Sequence, residues 1–451
     1  MAAQSEPAKR LDAKESPMTA SGASSPTRRP TRVRLLILAL LTAGTMINYL
    51  DRTVVSVAAP FMAKDLGLSA AVMGLVFSAF SWTYAAAQIP GGLFLDRVGA
   101  RVTYFLSVTV WSTFTLLQGF TTGLGSLVGL RLGLGIAEAP CFPTNSRILS
   151  IWFPQSERAR ATSVYSVGQY FGLAFLSPVL FAIVAAMGWR ALFWIVGALG
   201  VLFGLVWLAC YREPDRSKLV NAAELEHIEA GGGLGQPAAR TKFEWRHIRF
   251  LFRQRQIVGA SIGQFAGNST MVFFLTWFPT YLATERHMAW LKVGFYAFLP
   301  FIAASVGVIA GGQVSDWLLR RTGNATLARK LPIIAGLLLA SGIVAANFLD
   351  DNRLVIAVLS MAFFGQGMVN LGWTLITDVA PKALIGLTGG VFNLCANLAG
   401  IVTPLVVGFI VAATGSFVYA LAFIGVVALI GAFSYIFVLG PVERVEMAEP
   451  I

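Results

Sequence analysis

Long apolar runs separated by short polar segments dominate the chain. Twelve of these runs reach about 20 residues, the length that an α-helix needs to cross about 30 Å of hydrocarbon. The pattern therefore predicts an all-α polytopic membrane protein with twelve transmembrane helices. We place the spans near residues 33–60, 70–95, 102–122, 126–151, 161–187, 190–211, 256–283, 293–317, 331–349, 354–380, 384–413 and 416–440.

The polar segments divide the spans into two groups of six. The longest polar connection, residues 212–255, separates the sixth span from the seventh. Inside it, Asn221 is a suitable N-cap for a short acidic helix. The predicted organisation is a disordered cytoplasmic tail (1–31), an N-terminal six-helix half (32–211), a cytoplasmic central loop (212–255), a C-terminal six-helix half (256–440) and a cytoplasmic tail (441–451).

A weak internal repeat relates the two halves. GGLFLDRVGAR follows the second span and GGQVSDWLLRR follows the eighth, so that Asp96 and Asp316 lie 220 residues apart. Two duplicated halves in parallel are one layout of secondary transporters, which bind their solute between the halves.

The composition agrees with a membrane protein. The chain is 56% hydrophobic and only 12% charged, and its net charge of +12 comes from basic residues spread among short loops. We therefore expect a lipid bilayer around the protein and no nucleic-acid partner.

With both termini inside, the inner segments hold 27 Lys and Arg residues and the outer loops hold 5. This asymmetry predicts that both termini are cytoplasmic.

The few cysteines and histidines argue against a metal or redox centre. Three cysteines lie in or at the ends of apolar runs, and all three histidines lie in loops. This distribution predicts no metal site, no cofactor and no intramembrane enzyme.

Two acids and two bases interrupt the apolar spans. Asp51 and Arg52 are adjacent in the first span, and Arg131 and Glu138 lie seven residues apart in the fourth. A charge at the centre of a bilayer helix costs about 2.5–3.5 kcal/mol on insertion scales, so this group predicts a protein-lined, hydrated cavity. Arg131 and Glu138 share a helix face but could pair only loosely. Asp51 and Arg52 point about 100° apart, so one would face the cavity while the other reaches toward span four.

Arginine and carboxylate suit different tasks in such a cavity. The planar guanidinium fork binds carboxylates, so Arg52 and Arg131 are predicted to bind an anionic substrate. Asp51 and Glu138 are predicted proton carriers, whose protonation frees the arginines. The competing interpretation is that two ion pairs only join the first and fourth helices.

Neutral polar residues in the spans are candidates for binding hydroxyl groups. Any single Asn or Gln could equally form a hydrogen bond between helices. The candidates are Tyr49, Tyr84, Gln88 and Gln169 in the first half, and Gln264, Asn268, Asn370, Trp373, Asn393 and Asn397 in the second. Charges in one half and neutral groups in the other suit a ligand with a carboxylate end and a polyol end.

Charged residues at the cytoplasmic ends of the spans are predicted to form gates. They would hold the halves together in one conformation rather than contact the substrate. The predicted gating residues are Asp96, Arg97, Arg101, Arg158, Asp316 and Arg320.

The motif GxxxDRxGxR, together with the 6+6 arrangement, resembles the major facilitator superfamily. A more specific likeness is to its anion:cation symporter family, in particular proton-coupled carriers of galactonate, glucarate and hexuronate. The segments that carry it are NYLDR, IPGGLFLDRVGAR, RLGLGIAEAPCFPTNSRILSIWFP, SERARATS, FFLTWFPTYL, NLGWTLITDVAPK and GGVFNLCANLAGIVTP.

The second repeat departs from the first, reading DWLLRR for DRVGAR. Gly267 also stands where these carriers have a bulkier residue, which leaves the exact substrate open.

The resemblance implies a function. It implies uptake of a sugar acid with protons by alternating access, in the inner membrane of a bacterium, by a protein that acts as a monomer. It assigns proton coupling to Asp51 and Glu138, and implicates Tyr84, Gln169, Trp373 and Asn393 in binding.

Other functions compete with sugar-acid uptake. A carrier of another organic anion, such as an aromatic carboxylate or tartrate, is the chief alternative. A drug exporter would rarely place two arginines in its pocket. A non-transporting anion sensor would carry a soluble signalling domain, for which residues 1–31 and 441–451 are too short.

Overall fold

The computed structural model describes residues 30–233, 245–381 and 384–446, and within these ranges the chain is helical without a β-strand. The predicted tails therefore fall largely outside the described residues. The helices are α1 (Val33–Leu66), α2 (Ala70–Val98), α3 (Ala100–Gln118), α4 (Leu124–Glu138), α5 (Cys141–Trp152), α6 (Gln155–Met187), α7 (Trp189–Cys210), α8 (Ala222–Ala230), α9 (Trp245–Leu251), α10 (Arg255–Thr276), α11 (Phe278–Thr284), α12 (Trp290–Thr322), α13 (Ala325–Ser341), α14 (Asn352–Val369), α15 (Gly372–Val379), α16 (Ile385–Thr414) and α17 (Val418–Phe433).

The described helices cross the bundle twelve times, as the sequence predicts. Ten passes are long and apolar enough to cross a membrane by length and composition. The other two are α3, which packs against α4 and α7, and the pair α10–α11, in which α10 packs against α16. Several helices extend past the predicted spans: α1 continues to Leu66 and α6 already begins at Gln155.

The twelve passes place both described chain ends on one side of the bundle. This side also carries the described parts of the 212–255 connection. We call it the terminal face and call the other side the opposite face. The first six passes pack mainly on one another, as do the last six, and α2–α16 and α6–α12 join the two groups.

The two halves close on each other near the opposite face. An ideal Cβ on Gly74 of α2 would lie 2.5 Å from the carbonyl oxygen of Pro404 on α16, so only glycine allows this approach. Phe77 packs edge-on against Trp277 with ring centroids 5.1 Å apart, and Phe61 packs in the same way on Trp290 at 4.9 Å. Small residues and aromatic rings therefore close this side of the interface.

Helices α2 and α16 separate toward the terminal face. Gly92 and Gly390 lie 18 residues from Gly74 and Gly408, which is five helical turns and therefore the same face of each helix. A Cβ at Gly408 would meet Gly74, whereas a Cβ at Gly92 or Gly390 would meet nothing within 4 Å. The contact between α2 and α16 is thus tight near the opposite face and is lost at Gly92 and Gly390 toward the terminal face.

The short helix α8 packs on the terminal end of the first half. Its N-cap is Asn221, whose side chain accepts from the Glu224 backbone N–H at 2.9 Å, which confirms the predicted cap. The fully buried Glu224 carboxylate accepts from the backbone N–H groups of Val33 and Arg34, at the start of α1. Arg34 also bridges Glu224 and Glu157. The α8 segment of the connection therefore packs on the first half and caps its first helix.

Candidate functional site

Helices that the sequence predicts as single spans are interrupted at the middle of the bundle. The fourth pass stops at Glu138 and resumes at Cys141, and the tenth stops at Val369 and resumes at Gly372. Pro140 lies in the first interruption, where it cannot donate a helical hydrogen bond. The fourth and tenth passes occupy the same position in the two halves. Interrupted helices at corresponding positions are a known way of forming a transporter site.

An ion pair joins α1 to the first of these interruptions. Nε of Arg52 donates to Oε1 of Glu138 at 2.8 Å, and Nη2 donates to the same oxygen. Glu138 is fully buried and its Oε2 has no hydrogen-bond partner. The Arg52 side chain keeps 17% of its surface exposed, whereas the Glu138 side chain is fully enclosed.

Asp51 points away from this pair. Its Oδ2 accepts from Nε1 of Trp111 on α3 at 2.6 Å, its Oδ1 has no partner, and the residue is 1% exposed. Its partner is an indole N–H rather than a basic side chain. Of the two adjacent residues, Arg52 is therefore the one that reaches span four, while Asp51 is enclosed between α1 and α3.

Arg131 binds backbone rather than a carboxylate. Its Nε and Nη2 donate to the carbonyl oxygens of Val76 and Phe77 on α2, at 3.3 and 3.2 Å, and its Nη1 has no hydrogen-bond partner. The residue is 3% exposed. The loose pair with Glu138 that the seven-residue spacing left open does not form, because Glu138 binds Arg52.

Aromatic rings surround the Arg52 guanidinium. Its Cζ lies 5.1 Å from the ring centroid of Tyr49 and 4.9 Å from those of Phe80 and Tyr84. Such rings stabilise a cation without neutralising it, so Glu138 is the group that balances the charge of Arg52. Gln88 lies near Tyr84, and its buried Nε2 has no partner. The structure therefore places Tyr49, Tyr84 and Gln88 near one another on the Arg52 side of the pair.

The neutral candidates of the second half divide into two groups. Asn268 donates to the carbonyl oxygen of Ala396 at 2.5 Å, and Asn397 donates to the carbonyl oxygen of Asn393 at 2.8 Å, so both amides already make protein contacts. By contrast, Oε1 of the buried Gln264 has no partner. The Trp373 ring is 41% exposed and packs edge-on against a neighbouring phenylalanine. Gln264 and Trp373 therefore remain available for a ligand.

One hydrogen bond crosses between the halves at the second interruption. Nδ2 of Asn370 donates to the hydroxyl of Tyr170 on α6 at 2.8 Å. Gln169 and Gln366 lie close to the same hydroxyl. Tyr170 and Gln366 are absent from the candidates found by sequence. Each is a polar residue within an apolar run, and that signal could have found them. Gln366 also lies one helical turn before Asn370.

The predicted gating residues of the first half have varied partners. Asp96 pairs with Arg147 at 3.7 Å. Arg101 donates to the carbonyl oxygen of Leu208, and Arg158 donates to carbonyl oxygens that include Gly232 next to α8. Arg97 is exposed.

In the second half Asp316 pairs with an arginine that was not among the predicted gating residues. Asp316 lies 3.8 Å from Arg329, which also pairs with Asp378 at 2.9 Å, while Arg320 is exposed. Arg147, Arg329 and Asp378 were missed because their partners are distant in sequence. No cluster of His, Cys, Asp or Glu in the described ranges could hold a metal ion.

Comparisons with known proteins agree with this architecture. Residues 41–404 match the sequence profile of the Major Facilitator Superfamily. The "D-galactonate transporter" of Escherichia coli O6:H1 strain CFT073 is 46% identical over 423 residues, which are 92% of this chain and 98% of the relative. The "Probable galactarate/D-glucarate transporter GudP" of Escherichia coli K12 is 43% identical over 440 residues, 95% of this chain and 98% of the relative.

More distant relatives extend the picture. The "Probable sulfoacetate transporter SauU" of Cupriavidus necator is 34% identical over 410 residues, 90% of this chain and 94% of the relative. Among solved structures, a bacterial homologue of the human lysosomal transporter Spinster, inward-facing and occupied, matches with a TM-score of 0.72 at 20% identity, over 90% of this chain and 97% of that one. At that identity the likeness supports the fold alone.

Proposed function

Because the chain belongs to the Major Facilitator Superfamily, whose members are membrane transporters rather than enzymes, we propose that it carries a sugar acid together with protons by alternating access. The observation that carries this proposal is the buried Arg52–Glu138 pair, whose arginine is partly exposed beside an interrupted helix. A carboxylate that can take up a proton and an arginine that can bind an anion share one contact there. Binding of the proton and binding of the anion are therefore linked.

The linkage follows from charge. While Glu138 is ionised, it occupies the Arg52 fork and competes with an incoming carboxylate. A proton on Glu138 removes that competition, so Arg52 can bind the carboxylate of the substrate through paired hydrogen bonds. Loss of the proton restores the competition and expels the anion. Substrate and proton therefore bind and leave together.

The two arginines have unequal roles in this scheme. Arg52 is partly exposed and contacts the substrate, whereas Arg131 spends two of its donors on the carbonyl oxygens of α2. The unpartnered Nη1 of Arg131 can still donate toward the anion. Arg131 thus positions α2 against α4 and adds positive charge to the cavity.

Asp51 is the candidate for a second proton. An ionised carboxylate whose hydrogen-bond partner is an indole rather than a basic side chain is costly in an apolar interior. A proton on Asp51 removes this cost, and protonation during transport would relax the contact between α1 and α3 through Trp111.

The choice of a sugar acid rests on the second half and on the relatives. Gln264 and Trp373 can form hydrogen bonds to hydroxyl groups at the end of the ligand away from Arg52. The relatives at 46% and 43% identity are named for galactonate, galactarate and glucarate. A smaller organic anion such as sulfoacetate is the second candidate, since a relative at 34% identity is named for it.

The orientation follows from the basic residues. Inner segments carry 27 Lys and Arg residues against 5 in outer loops, so the terminal face is proposed to be cytoplasmic. The separation of α2 and α16 on that side supports a route by which substrate would leave the cavity there at the end of an uptake cycle.

Uptake by proteoliposomes that contain the full chain tests the proposal. D-galactonate, D-glucarate, galactarate, D-glucuronate, tartrate and sulfoacetate are supplied under an imposed pH gradient. We expect accumulation of at least one sugar acid, and its collapse when a protonophore removes the gradient. Accumulation that survives the protonophore contradicts proton symport, and uptake of sulfoacetate or tartrate alone contradicts the sugar-acid assignment.

A further inference from the structure

Tyr170 is buried at the boundary between the halves and makes a polar contact across it. The residue is 1% exposed on α6, and its hydroxyl accepts from Nδ2 of Asn370 at 2.8 Å. Its ring packs edge-on against Phe363 of the second half, with centroids 6.3 Å apart. Near the opposite face, by contrast, glycines and aromatic rings make the contacts between the halves.

Two features place this contact beside the Arg52 site. Asn370 occupies the interruption between α14 and α15, which corresponds to the interruption after Glu138 in the first half. Tyr170 and Tyr49 also belong to one buried cluster in which α6 packs on α1, and the Tyr49 ring lies against the Arg52 guanidinium. A ligand held by Arg52 and extending into the second half would therefore meet Tyr170 and Asn370.

The hydrogen-bonding capacity of this group is only partly used. The Tyr170 hydroxyl accepts one hydrogen bond and can still donate its own proton. Gln366 lies one helical turn before Asn370, is 4% exposed, and its Oε1 has no hydrogen-bond partner. The group is uncharged and contains both donors and acceptors. An alcohol, which donates and accepts at once, matches both kinds of group, whereas an acid without hydroxyls could use only the donors.

We propose that Tyr170, with Asn370 and Gln366, recognises hydroxyl groups of the substrate and so selects polyhydroxy acids over acids without hydroxyls. A ligand hydroxyl replaces the Asn370–Tyr170 bond, accepting from Asn370 and donating to Tyr170 or Gln366. The bound substrate then links the two halves in place of the direct bond. This inference rests on the proposed function, since it identifies what distinguishes one organic acid from another.

The test pairs Tyr170→Phe with substrate analogues that lack single hydroxyls. Calorimetry on the full chain in detergent gives Kd for D-galactonate and for each of its deoxy analogues. We expect Tyr170→Phe to weaken galactonate binding about tenfold, the effect of losing one hydrogen bond of about 1.4 kcal/mol. One deoxy analogue should bind wild type about as weakly, and Tyr170→Phe should weaken that analogue no further. An equal additional loss for every analogue, or no loss for galactonate, overturns the proposal in favour of a contact that only joins the halves.

Two further variants make the result independent of folding. Tyr211→Phe is the matched control, because Tyr211 is equally buried and its hydroxyl has no partner. Asn370→Ala should give the same analogue-dependent loss as Tyr170→Phe if both act on the ligand. Should wild type bind no sugar acid at all, the proposed function fails together with this inference. If wild type binds galactonate, and Tyr170→Phe has the same Kd as wild type for galactonate and for every analogue, only this inference fails.

Discussion

At the scale of single residues, the cavity depends on how four charges share their partners. Arg52 and Glu138 neutralise each other, Arg131 is held by backbone carbonyl oxygens, and Asp51 is held by an indole. A buried ion pair is weak evidence of stability, because desolvation offsets most of the attraction. Under the proposed function the arrangement would act as a switch, in which one proton on Glu138 decides whether Arg52 can bind an anion.

Glu138→Gln tests this switch. Glutamine keeps the shape of the side chain but carries no exchangeable charge, so Arg52 stays available at every pH. We expect substrate counterflow to persist while accumulation driven by a pH gradient is lost. Glu226→Gln, a change at an exposed position on α8, is the matched control and should behave as wild type. Normal accumulation by Glu138→Gln would show that Glu138 has only a structural role.

Arg131→Lys tests the geometry of the second base. Lysine keeps the charge, but its single ammonium cannot bridge the carbonyl oxygens of Val76 and Phe77 and also face an anion. Losing one or two charge-assisted hydrogen bonds of about 1.5–3 kcal/mol each predicts that substrate binding nearly disappears. Calorimetric Kd values measure the effect, with the exposed Arg353→Lys as control. Wild-type affinity in Arg131→Lys would mean that charge alone matters at this position.

At the scale of secondary structure, α8 acts as a cap for α1. The backbone N–H groups at a helix start lack partners within the helix, and the Glu224 carboxylate accepts from two of them. Negative charge at this end also complements the helix dipole. A connection between the halves thus stabilises the helix that carries Asp51 and Arg52.

Glu224→Ala should destabilise the first half. The change leaves the Arg34 guanidinium without one of its two carboxylates and leaves two backbone N–H groups without acceptors. Breaking a buried ion pair from one side costs about 3–5 kcal/mol. Thermal unfolding in detergent should show a lower apparent Tm, and hydrogen exchange should be faster at residues 31–35. Glu226→Ala, exposed on the same helix, is the control; equal Tm values for the two variants would contradict the capping role.

At the scale of the whole molecule, the contact between α2 and α16 sets which side is closed. The helices touch through glycines near the opposite face and separate toward the terminal face. The proposed alternating access would require the closed side to open, and transporters built from two halves do this by rocking the halves about a central site. Glycines at the contact allow close packing without interlocked side chains.

Gly74→Leu should prevent closure of the opposite face. The new side chain would clash with backbone of α16, because even a Cβ would lie 2.5 Å from the Pro404 carbonyl oxygen. We expect transport to stop, and a cysteine introduced as Met73→Cys, at a position that is 3% exposed, to become reactive toward an impermeant maleimide. The measurement uses a background without Cys141, Cys210 and Cys395. Gly129→Leu, where a Cβ meets nothing within 4 Å, is the control; unchanged labelling and transport in Gly74→Leu would contradict this account of closure.

Much of the architecture could be predicted from sequence because its signals are local. Twelve apolar runs gave twelve passes, and Asn221 was correctly placed as a cap. The interruptions after Glu138 and Val369 were missed, since an apolar run does not show where helical hydrogen bonds stop. Partners distant in sequence, such as Asp96 with Arg147 or Glu224 with the start of α1, were missed for a related reason.

The sequence by itself determined that the chain crosses the membrane twelve times and that two acids and two bases lie within the crossings. Hydrophobic length and the high cost of isolated charges suffice for that, because both act along a single helix. Only the tertiary structure decided that Glu138 binds Arg52 rather than Arg131, that Asp51 turns toward Trp111, and which side of the halves is closed. These choices depend on how the helices pack against each other. The spacing of residues along one helix does not specify that packing.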